Sequence, residues 1–248
     1  EVYPRHAVRN LTQSRISGLL ALLTAAAMTV AGPAAAQDVK AITVKGPVHM
    51  LMGKGGNVGV LIGPDGTVMI DDQFAPMTPK LLDAIKSVGG NFPKFVMNTH
   101  FHADHTGGND NLGRAGATIV SHDNVRRRLA EGAEIPAFNR VMAPYPESAL
   151  AKITFSTNAT FHMNGETVEL FHVPNAHTDG DGLVHFKTSN VVHTGDTFFN
   201  GFYPFIDVGN GGSLAGMIAA ADAVLARSDE ETQIIPGHGP LATKADLK

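Results

Sequence analysis

The sequence predicts an α/β fold in which two facing sheets lie between outer helices, a four-layer αββα sandwich. Short apolar runs are separated by Gly, Pro and Asn turns, and strands followed by helices occur in both halves of the chain. With 248 residues and 43% hydrophobic residues, the chain can bury one substantial core. We therefore predict one folded domain over residues 37–248.

The elements of the first half follow from turns and periodicity. The turn Gly63-Pro64-Asp65-Gly66 separates two apolar runs, and helical spacing over residues 79–88 ends at Gly89-Gly90. In order, we predict strands within residues 39–72 (among them 58–62 and 67–70), a helix over 79–88, strands over 94–98 and 117–121, a basic helix over 124–131 and an irregular flap over 135–151.

The second half repeats this character. Asn164-Gly165 is a hairpin signal, and Ser213 is a suitable N-cap for a helix. In order, we predict strands over 159–163, 167–173, 183–187 and 190–193, a helix over 213–227 and a last strand over 233–235.

The first 36 residues have the pattern of a signal peptide. Arg5, Arg9 and Arg15 precede an apolar run over residues 16–31, and Ala34-Ala35-Ala36 offers a cleavage site. The run is shorter than the roughly 20 residues of a membrane span, so an uncleaved anchor is the less favoured alternative. We predict export to a bacterial periplasm and no stable membrane insertion after cleavage.

Charge and cysteine content narrow the function. A formal net charge of −4 gives no electrostatic reason to expect a nucleic-acid partner. The chain has no cysteine, so disulfides and thiolate ligands are excluded. Any metal site must therefore use nitrogen and oxygen donors.

The most informative segment is His100-Phe101-His102-Ala103-Asp104-His105, which directly follows a predicted strand. Imidazole and carboxylate groups are the ligands that divalent transition metals prefer when thiolate is absent. A polar surface loop is the less favoured interpretation. His100 and His102 alternate with Phe101, so both can face the same side. The segment predicts a metal site.

Three later residues complete the pattern, each at a junction between a strand and a turn. They are His177, Asp196 and His238, in the segments 174–180, 193–197 and 236–240. Each alone is weak evidence, because a single histidine or Gly-Asp pair near a turn is usually structural. Their order after the cluster makes the pattern specific.

In these motifs the chain resembles the metallo-β-lactamase superfamily, over roughly residues 39–247. The resemblance implies the αββα hydrolase fold and two Zn²⁺ ions per chain. It implies that His100, His102 and His177 hold one ion, that Asp104, His105 and His238 hold the second, and that Asp196 bridges the two. A water shared by two zinc ions is acidified, and the resulting metal-bridging hydroxide would cleave an amide or ester bond, with Asp104 available to orient it.

The resemblance leaves the small-molecule substrate open among a β-lactam, a thioester and a lactone. Asn210, in Gly209-Asn210-Gly211-Gly212, resembles a loop asparagine that polarises the lactam carbonyl in a cysteine-containing lactamase subclass. However, Asp196 stands in the position of that cysteine, and Phe199 stands where that subclass has a carboxylate-binding lysine. We predict a β-lactamase-like enzyme of modest activity, with antibiotic resistance as its consequence. A glyoxalase II-like thioesterase or lactonase is the alternative.

Two other functional classes remain as alternatives: an iron oxidoreductase and a non-catalytic metal-binding protein. Both are disfavoured because no ligand of the set is replaced. Outside the ligand set, Asp71 either binds a ligand histidine or caps its loop, and His193 is a candidate to orient Asp196. Residues 126–128, three arginines, predict a solvated helix face. Some aromatic residues after Asp196 are expected to pack in the core and others to line a substrate wall: Phe198, Phe199, Phe202, Tyr203 and Phe205.

Overall fold

The structure, a computed structural model, describes residues 39–248. The predicted signal peptide, residues 1–36, lies outside the described residues, and its cleavage and export stay predictions. Within residues 39–248, no helix combines the length and apolar character needed to cross a membrane.

The first sheet has seven strands. In sheet order they are β1 (Lys40–Lys45), β2 (Val48–Met52), β3 (Val58–Leu61), β4 (Thr67–Ile70), β5 (Pro93–Asn98), β6 (Thr118–His122) and β9 (Ile153–Phe155). Strands β1 to β4 are antiparallel neighbours joined by turns, whereas β4, β5, β6 and β9 run parallel. Parallel neighbours need a long crossover, which the helices supply.

The second sheet has six strands. In sheet order they are β10 (Asn158–Met163), β11 (Glu166–His172), β12 (Gly182–Phe186), β13 (Val191–His193), β14 (Gln233–Ile235) and β15 (Ala242–Thr243). The pairs are antiparallel except β13 with β14.

The helices are α1 (Thr78–Ser87), α2 (Ala103–Thr106), α3 (Asn109–Arg114), α4 (Asp123–Glu131), α5 (Leu214–Leu225) and α6 (Lys244–Leu247). The predicted N-cap of α5 is confirmed, because Ser213 Oγ accepts a hydrogen bond from the Gly216 amide at 3.0 Å. The predicted helix boundaries agree with α1, α4 and α5 to within two residues.

Three apolar layers separate the four layers of structure. The central one joins the two sheets, with Met50 and Met97 from the first facing Val184 and Phe186 from the second. The other two bury one side of α1 and one side of α5 against the outer faces of the sheets. The predicted αββα sandwich is confirmed, because each sheet buries both faces and so needs a helical cover.

The flap over residues 135–151 is more regular than predicted. Its first part belongs to a two-stranded hairpin of β7 (Ala133–Ile135) and β8 (Arg140–Met142), which are joined by a 3-10 turn. Pro136 and the three-residue strands give little periodicity to detect. Ile135 and Met142 are buried with Phe101 and with α4, which anchors the hairpin beside the histidine segment.

Candidate metal centre

The chemistry-bearing residues meet at the edge where several strands end. His100 and His102 follow β5, His177 follows β11, and Asp196 and His238 follow β13 and β14. Strands that run in the same direction bring their carboxyl ends to one edge, which explains the convergence of distant segments. As predicted, Phe101 points away into a buried apolar cluster, while the rings of His100 and His102 lie 4.8 Å apart.

The first group consists of His100, His102, His177 and Asp196, all buried, with ligand atoms within 4.8 Å of one another. His102 Nδ1 and His177 Nε2 lie 2.9 Å apart. Asp196 Oδ2 lies 3.7 Å from His100 Nε2 and 3.6 Å from His177 Nε2.

The hydrogen bonds at the outer ring nitrogens fix which atoms face inward. His177 Nδ1 lies 2.7 Å from the Phe205 carbonyl oxygen, which can only accept, so the proton is on Nδ1 and Nε2 carries a lone pair. His102 Nε2 donates likewise to Asp207 Oδ2 at 2.9 Å, which leaves a lone pair on Nδ1. Two lone pairs 2.9 Å apart repel each other unless a cation lies between them.

His100 follows the same logic. Thr99 Oγ1 uses its hydrogen on Asp71 Oδ2 at 2.7 Å, so His100 Nδ1 must donate to that hydroxyl at 3.0 Å. His100 Nε2 is then an inward lone pair, and among the described residues it has no hydrogen-bond partner. A buried acceptor without a donor is rare in proteins, and a bound cation satisfies it. The donor set therefore fits a divalent metal.

The second group consists of Asp104, His105 and His238. Asp104 Oδ2 lies 3.3 Å from His238 Nε2 and 3.6 Å from His105 Nε2, and the two histidine nitrogens are 3.4 Å apart. His105 Nδ1 bonds Asp71 Oδ2 at 2.7 Å, which again leaves Nε2 facing inward.

Asp196 joins the groups through separate oxygens. Oδ2 faces the first group, whereas Oδ1 lies 3.0 Å from His105 Nε2 and 3.4 Å from His238 Nε2. Oδ1 makes no hydrogen bond in the described part of the chain. One carboxylate with an oxygen towards each group has the placement of a bridging ligand. All seven residues that the resemblance implied are thus brought together, and their roles as ligands stay a proposal.

The electrostatics differ between the groups. Burial lowers the pKa of His177 to about 4, and burial together with the neighbouring His105 holds the pKa of His100 well below its usual range. Burial also lowers the pKa of His105, but the carboxylates of Asp196, Asp104 and Asp71 outweigh it and raise that pKa well above its usual range. For His238, the nearby carboxylates of Asp104 and Asp196 outweigh burial and raise the pKa to about 9.

Among the histidines, only those of the second group should therefore release protons when metal binds. At pH 7 the raised pKa values keep His105 and His238 protonated in the metal-free protein, whereas His100 and His177 are neutral. We expect release of about two histidine protons per chain on loading, in addition to the proton of an ionised shared water, and affinity at the second group that rises with pH up to about 9. Calorimetric zinc titration at pH 7 in buffers of different ionisation enthalpy counts the protons, and a value near zero would contradict this charge distribution.

Glycines let the backbone approach the site closely. A Cβ on Gly56 would overlap the imidazole of His105, and one on Gly237 would overlap Asp196 Oδ1. The turn before β3 is also fixed to the His238 loop, because Asn57 Nδ2 donates to the carbonyls of Pro236 and Gly239, both at 2.9 Å.

Several supporting residues were not found from the sequence. Asp207 and the Phe205 carbonyl orient His102 and His177, and Asn57 holds the last loop. Asp71 has both of the roles open to it, because its Oδ2 bonds His105 Nδ1 and its Oδ1 accepts from the Thr99 amide at the start of the loop. His193 does not hydrogen-bond the Asp196 side chain. Its Nδ1 instead accepts from the Gly195 amide at 3.2 Å and so holds the preceding backbone.

Asn210 is placed differently from its predicted catalytic role. Its side chain is 4% exposed, and both amide hydrogens are used, by Asp207 Oδ2 at 2.7 Å and the Glu134 carbonyl at 2.8 Å. Its Oδ1 accepts from Arg128. No donor remains for a substrate carbonyl in this arrangement, so the predicted role is corrected to a supporting one.

The aromatic residues flank both groups. Phe205 lies 5.8 Å from the His177 ring and 4.6 Å from Phe138, whereas Phe199 lies 4.7 Å from the His238 ring. Phe138 is 59% exposed. Phe198 packs on the core beside α5, Phe202 lies 5.2 Å from Phe199, and Tyr203 is exposed. The predicted mixture of core and wall is found, with one wall on each side of the centre.

Comparison with known proteins places this centre in a family. Hydroxyacylglutathione hydrolases of Pelagibacter ubique and Anaeromyxobacter dehalogenans are 28% and 26% identical over 43% and 73% of this chain. The chain covers only 37% and 61% of their lengths. A metallo-β-lactamase structure from Pontibacter korlensis superposes with a TM-score of 0.68 at 20% identity, covering 85% of this chain and 95% of that one, and so shows the same fold.

The family model of the metallo-β-lactamase superfamily matches residues 51–238, which include all seven residues of the two groups. On that match, with its fold and its inward-facing donors, the chain belongs to the metallo-β-lactamase superfamily.

Proposed function

We propose that the protein is a two-zinc hydrolase that opens an ester, thioester or lactone bond in a substrate with an apolar acyl part. The observation that carries the metal count is Asp196, whose two buried oxygens face separate sets of inward donors. Two bound zinc ions would acidify a shared water to a nucleophile and polarise the substrate carbonyl.

The residues around the proposed ions would position the attacking water. Asp104 and His238 set the open side of the centre, where their side chains are 28% and 25% exposed. Burial raises the pKa of Asp104, but His105 and His238 outweigh it and lower the pKa to about 2. Asp104 is therefore ionised at neutral pH, and from the open side of the centre it would orient the attacking water as an acceptor.

The substrate preference rests on the walls. Phe138 and Phe205 on one side and Phe199 and Phe202 on the other offer apolar contact to groups flanking the reacting carbonyl. The position of the lactamase lysine is occupied by Phe199, so no cation is available there for a lactam carboxylate. The likeness to hydroxyacylglutathione hydrolases, which are named for a thioester substrate, supports the same choice.

Hydrolysis of a β-lactam is the second candidate. Lys54 is exposed on the glycine turn whose next residues lie against Asp104 and His105, and it provides a different cation near the centre. A lactam whose carboxylate reached Lys54 would be held beside the second group.

A substrate panel separates the candidates. Steady-state hydrolysis by the zinc-loaded protein should be measured with three substrates: an aromatic acyl thioester, a lactone that carries an acyl group, and a cephalosporin. We expect kcat/KM for the thioester or lactone to exceed that for the cephalosporin by at least about tenfold, the factor that 1.4 kcal/mol of transition-state binding provides. A cephalosporin preference that Lys54→Ala abolishes would instead establish the second candidate, and turnover of none of the three would refute both.

The place of action is a further proposal. The pattern over residues 1–36 supports export to a periplasm, where the substrate would be a small molecule rather than a nucleic acid. Fractionation of cells that express the full chain tests it.

A further inference from the structure

One buried chain of hydrogen bonds leads from the outer helix α4 to the first group. Arg128 lies on α4 with a side chain only 16% exposed, although the sequence predicted that residues 126–128 form a solvated face. Its Nε and Nη2 donate to the two oxygens of Asp179 at 2.6 and 2.8 Å. This two-point pairing fixes the plane of the guanidinium.

The same guanidinium also holds Asn210. Nη1 donates to Asn210 Oδ1 at 2.5 Å, and Nη2 donates to the Asn210 carbonyl at 3.1 Å. With both its side chain and its backbone held, the amide of Asn210 can point in one direction only. That direction brings Nδ2 to 2.7 Å from Asp207 Oδ2.

Asp207 completes the path. Its Oδ2 accepts from Asn210 and, at 2.9 Å, from Nε2 of His102. Asp207 is 1% exposed, so it has no water to replace either donor. The bond at Nε2 fixes the tautomer and the ring plane of His102, and so the direction in which Nδ1 faces the centre.

We propose that Arg128 is a positioning residue for the first group, acting on His102 through Asn210 and Asp207. The bonds from Arg128 to Asn210 and from Asn210 to Asp207 donate in the same direction, and such bonds strengthen one another inside a protein. His102 donates to the same carboxylate oxygen from the other side, so the path holds the acceptor of its Nε2–H in place. The inference rests on the proposed function only in taking His102 as a ligand. It also gives Asn210 a definite task in place of its predicted contact with substrate.

Arg127 provides a matched control. It is the neighbouring residue of α4, is 46% exposed, and also contacts Asp179, at 3.0 Å. Its other polar partners within residues 39–248 are Asn124 and Glu131, and it makes no hydrogen bond with Asn210 there. Arg127→Met and Arg128→Met therefore remove the same kind of side chain from the same carboxylate, and only Arg128→Met breaks the path.

The first measurement is zinc affinity by chelator competition, starting from the zinc-loaded protein. We expect Arg128→Met to weaken the ion at the first group by about tenfold, the lower end of the effect of removing the groups that orient a metal ligand. Arg127→Met should stay within about twofold of the unmodified protein. In the double variant with Asn210→Ala, the losses should not add, because both break one path.

The second measurement needs no metal. In ¹⁵N-histidine-labelled protein stripped of zinc, the proton on His102 Nε2 should give a low-field signal, assigned by its loss in Asp207→Ala. We expect Arg128→Met to shift it upfield and to speed its exchange with water, with no change in Arg127→Met. If Arg128→Met fails to fold, Arg128→Lys serves, because a single ammonium cannot hold both Asp179 and Asn210 in that geometry.

The outcomes separate the two proposals. Equal behaviour of the Arg128 and Arg127 variants in both measurements would overturn the positioning role and leave the proposed function standing. Absence of zinc binding by the unmodified protein would refute the proposed function, while the imidazole signal would still decide the role of Arg128.

Discussion

Replacing Asp196 by asparagine is expected to lower kcat/KM by about a thousandfold and to reduce bound zinc from two ions towards one per chain. The amide keeps the shape of the side chain but has one oxygen instead of two, and it brings no charge to offset two cations. Loss of about 4 kcal/mol of charge stabilisation corresponds to that factor. Elemental analysis of dialysed protein together with steady-state kinetics on the substrate found active in the panel provides both readouts.

Asp222→Asn is the control for that prediction. Asp222 is an exposed carboxylate on α5, so the same chemical change occurs away from the centre. Its variant should retain two ions and unchanged kinetics. Two ions and near-normal turnover in Asp196→Asn would remove the bridging role and, with it, the single observation on which the metal count rests.

Replacing Asp71 by alanine is expected to have the largest effect on stability. Asp71 is fully buried and accepts three hydrogen bonds, from the Thr99 amide, the Thr99 hydroxyl and His105 Nδ1, each at 2.7 Å. Alanine would leave these donors unpaired, at about 1–3 kcal/mol for each lost partner. We expect a loss of about 4 kcal/mol in the free energy of unfolding, which is a fall of about 8–16 °C in Tm for a domain of this size.

Calorimetry on metal-free and zinc-loaded protein measures this loss. Asp83→Ala, at an exposed position of α1, is the control and should change Tm by no more than about 2 °C, as is usual for surface substitutions. Because Asp71 supports His105 directly and His100 through Thr99, the variant should also bind both ions less tightly. A Tm equal to that of the control would show that the buried network contributes little.

The ligand set was accessible from the sequence because its members carry local signals. His100, His102, Asp104 and His105 lie within six positions, and the later three follow short apolar runs in glycine-containing turns. The alternation of strands and helices was sufficient for the layers of the sandwich. These features depend on near neighbours along the chain, which a single sequence displays.

The supporting residues depend on distant contacts instead. Asp207 lies 105 positions from His102, and Asn57 lies 179 positions from the Pro236 carbonyl it holds. Nothing near either residue in the sequence shows which partner it meets. The predicted role of Asn210 was wrong for the same reason. Its glycine-flanked segment resembles a catalytic loop, whereas in the fold its amide donates to Asp207.

The burial of one of the three arginines of α4 could be predicted in part from the sequence. Successive helix residues point about 100° apart, so three in a row cannot all face solvent when Val125 and Leu129 form the buried side of the same helix. One of them must turn towards the protein. Which one does so depends on the position of Asp179, which the sequence does not show.

Asp196 connects the two halves of the polypeptide as well as the two groups of ligands. Four of the seven residues come from the earlier half of the polypeptide after β5, and His177, Asp196 and His238 come from the later half. A pair of ions held there would staple the halves together, as a disulfide staples two segments of a secreted protein. Removing the ions with a chelator should therefore make the protein more sensitive to proteases as well as end catalysis. Since the chain has no cysteine, no disulfide would then link the two halves.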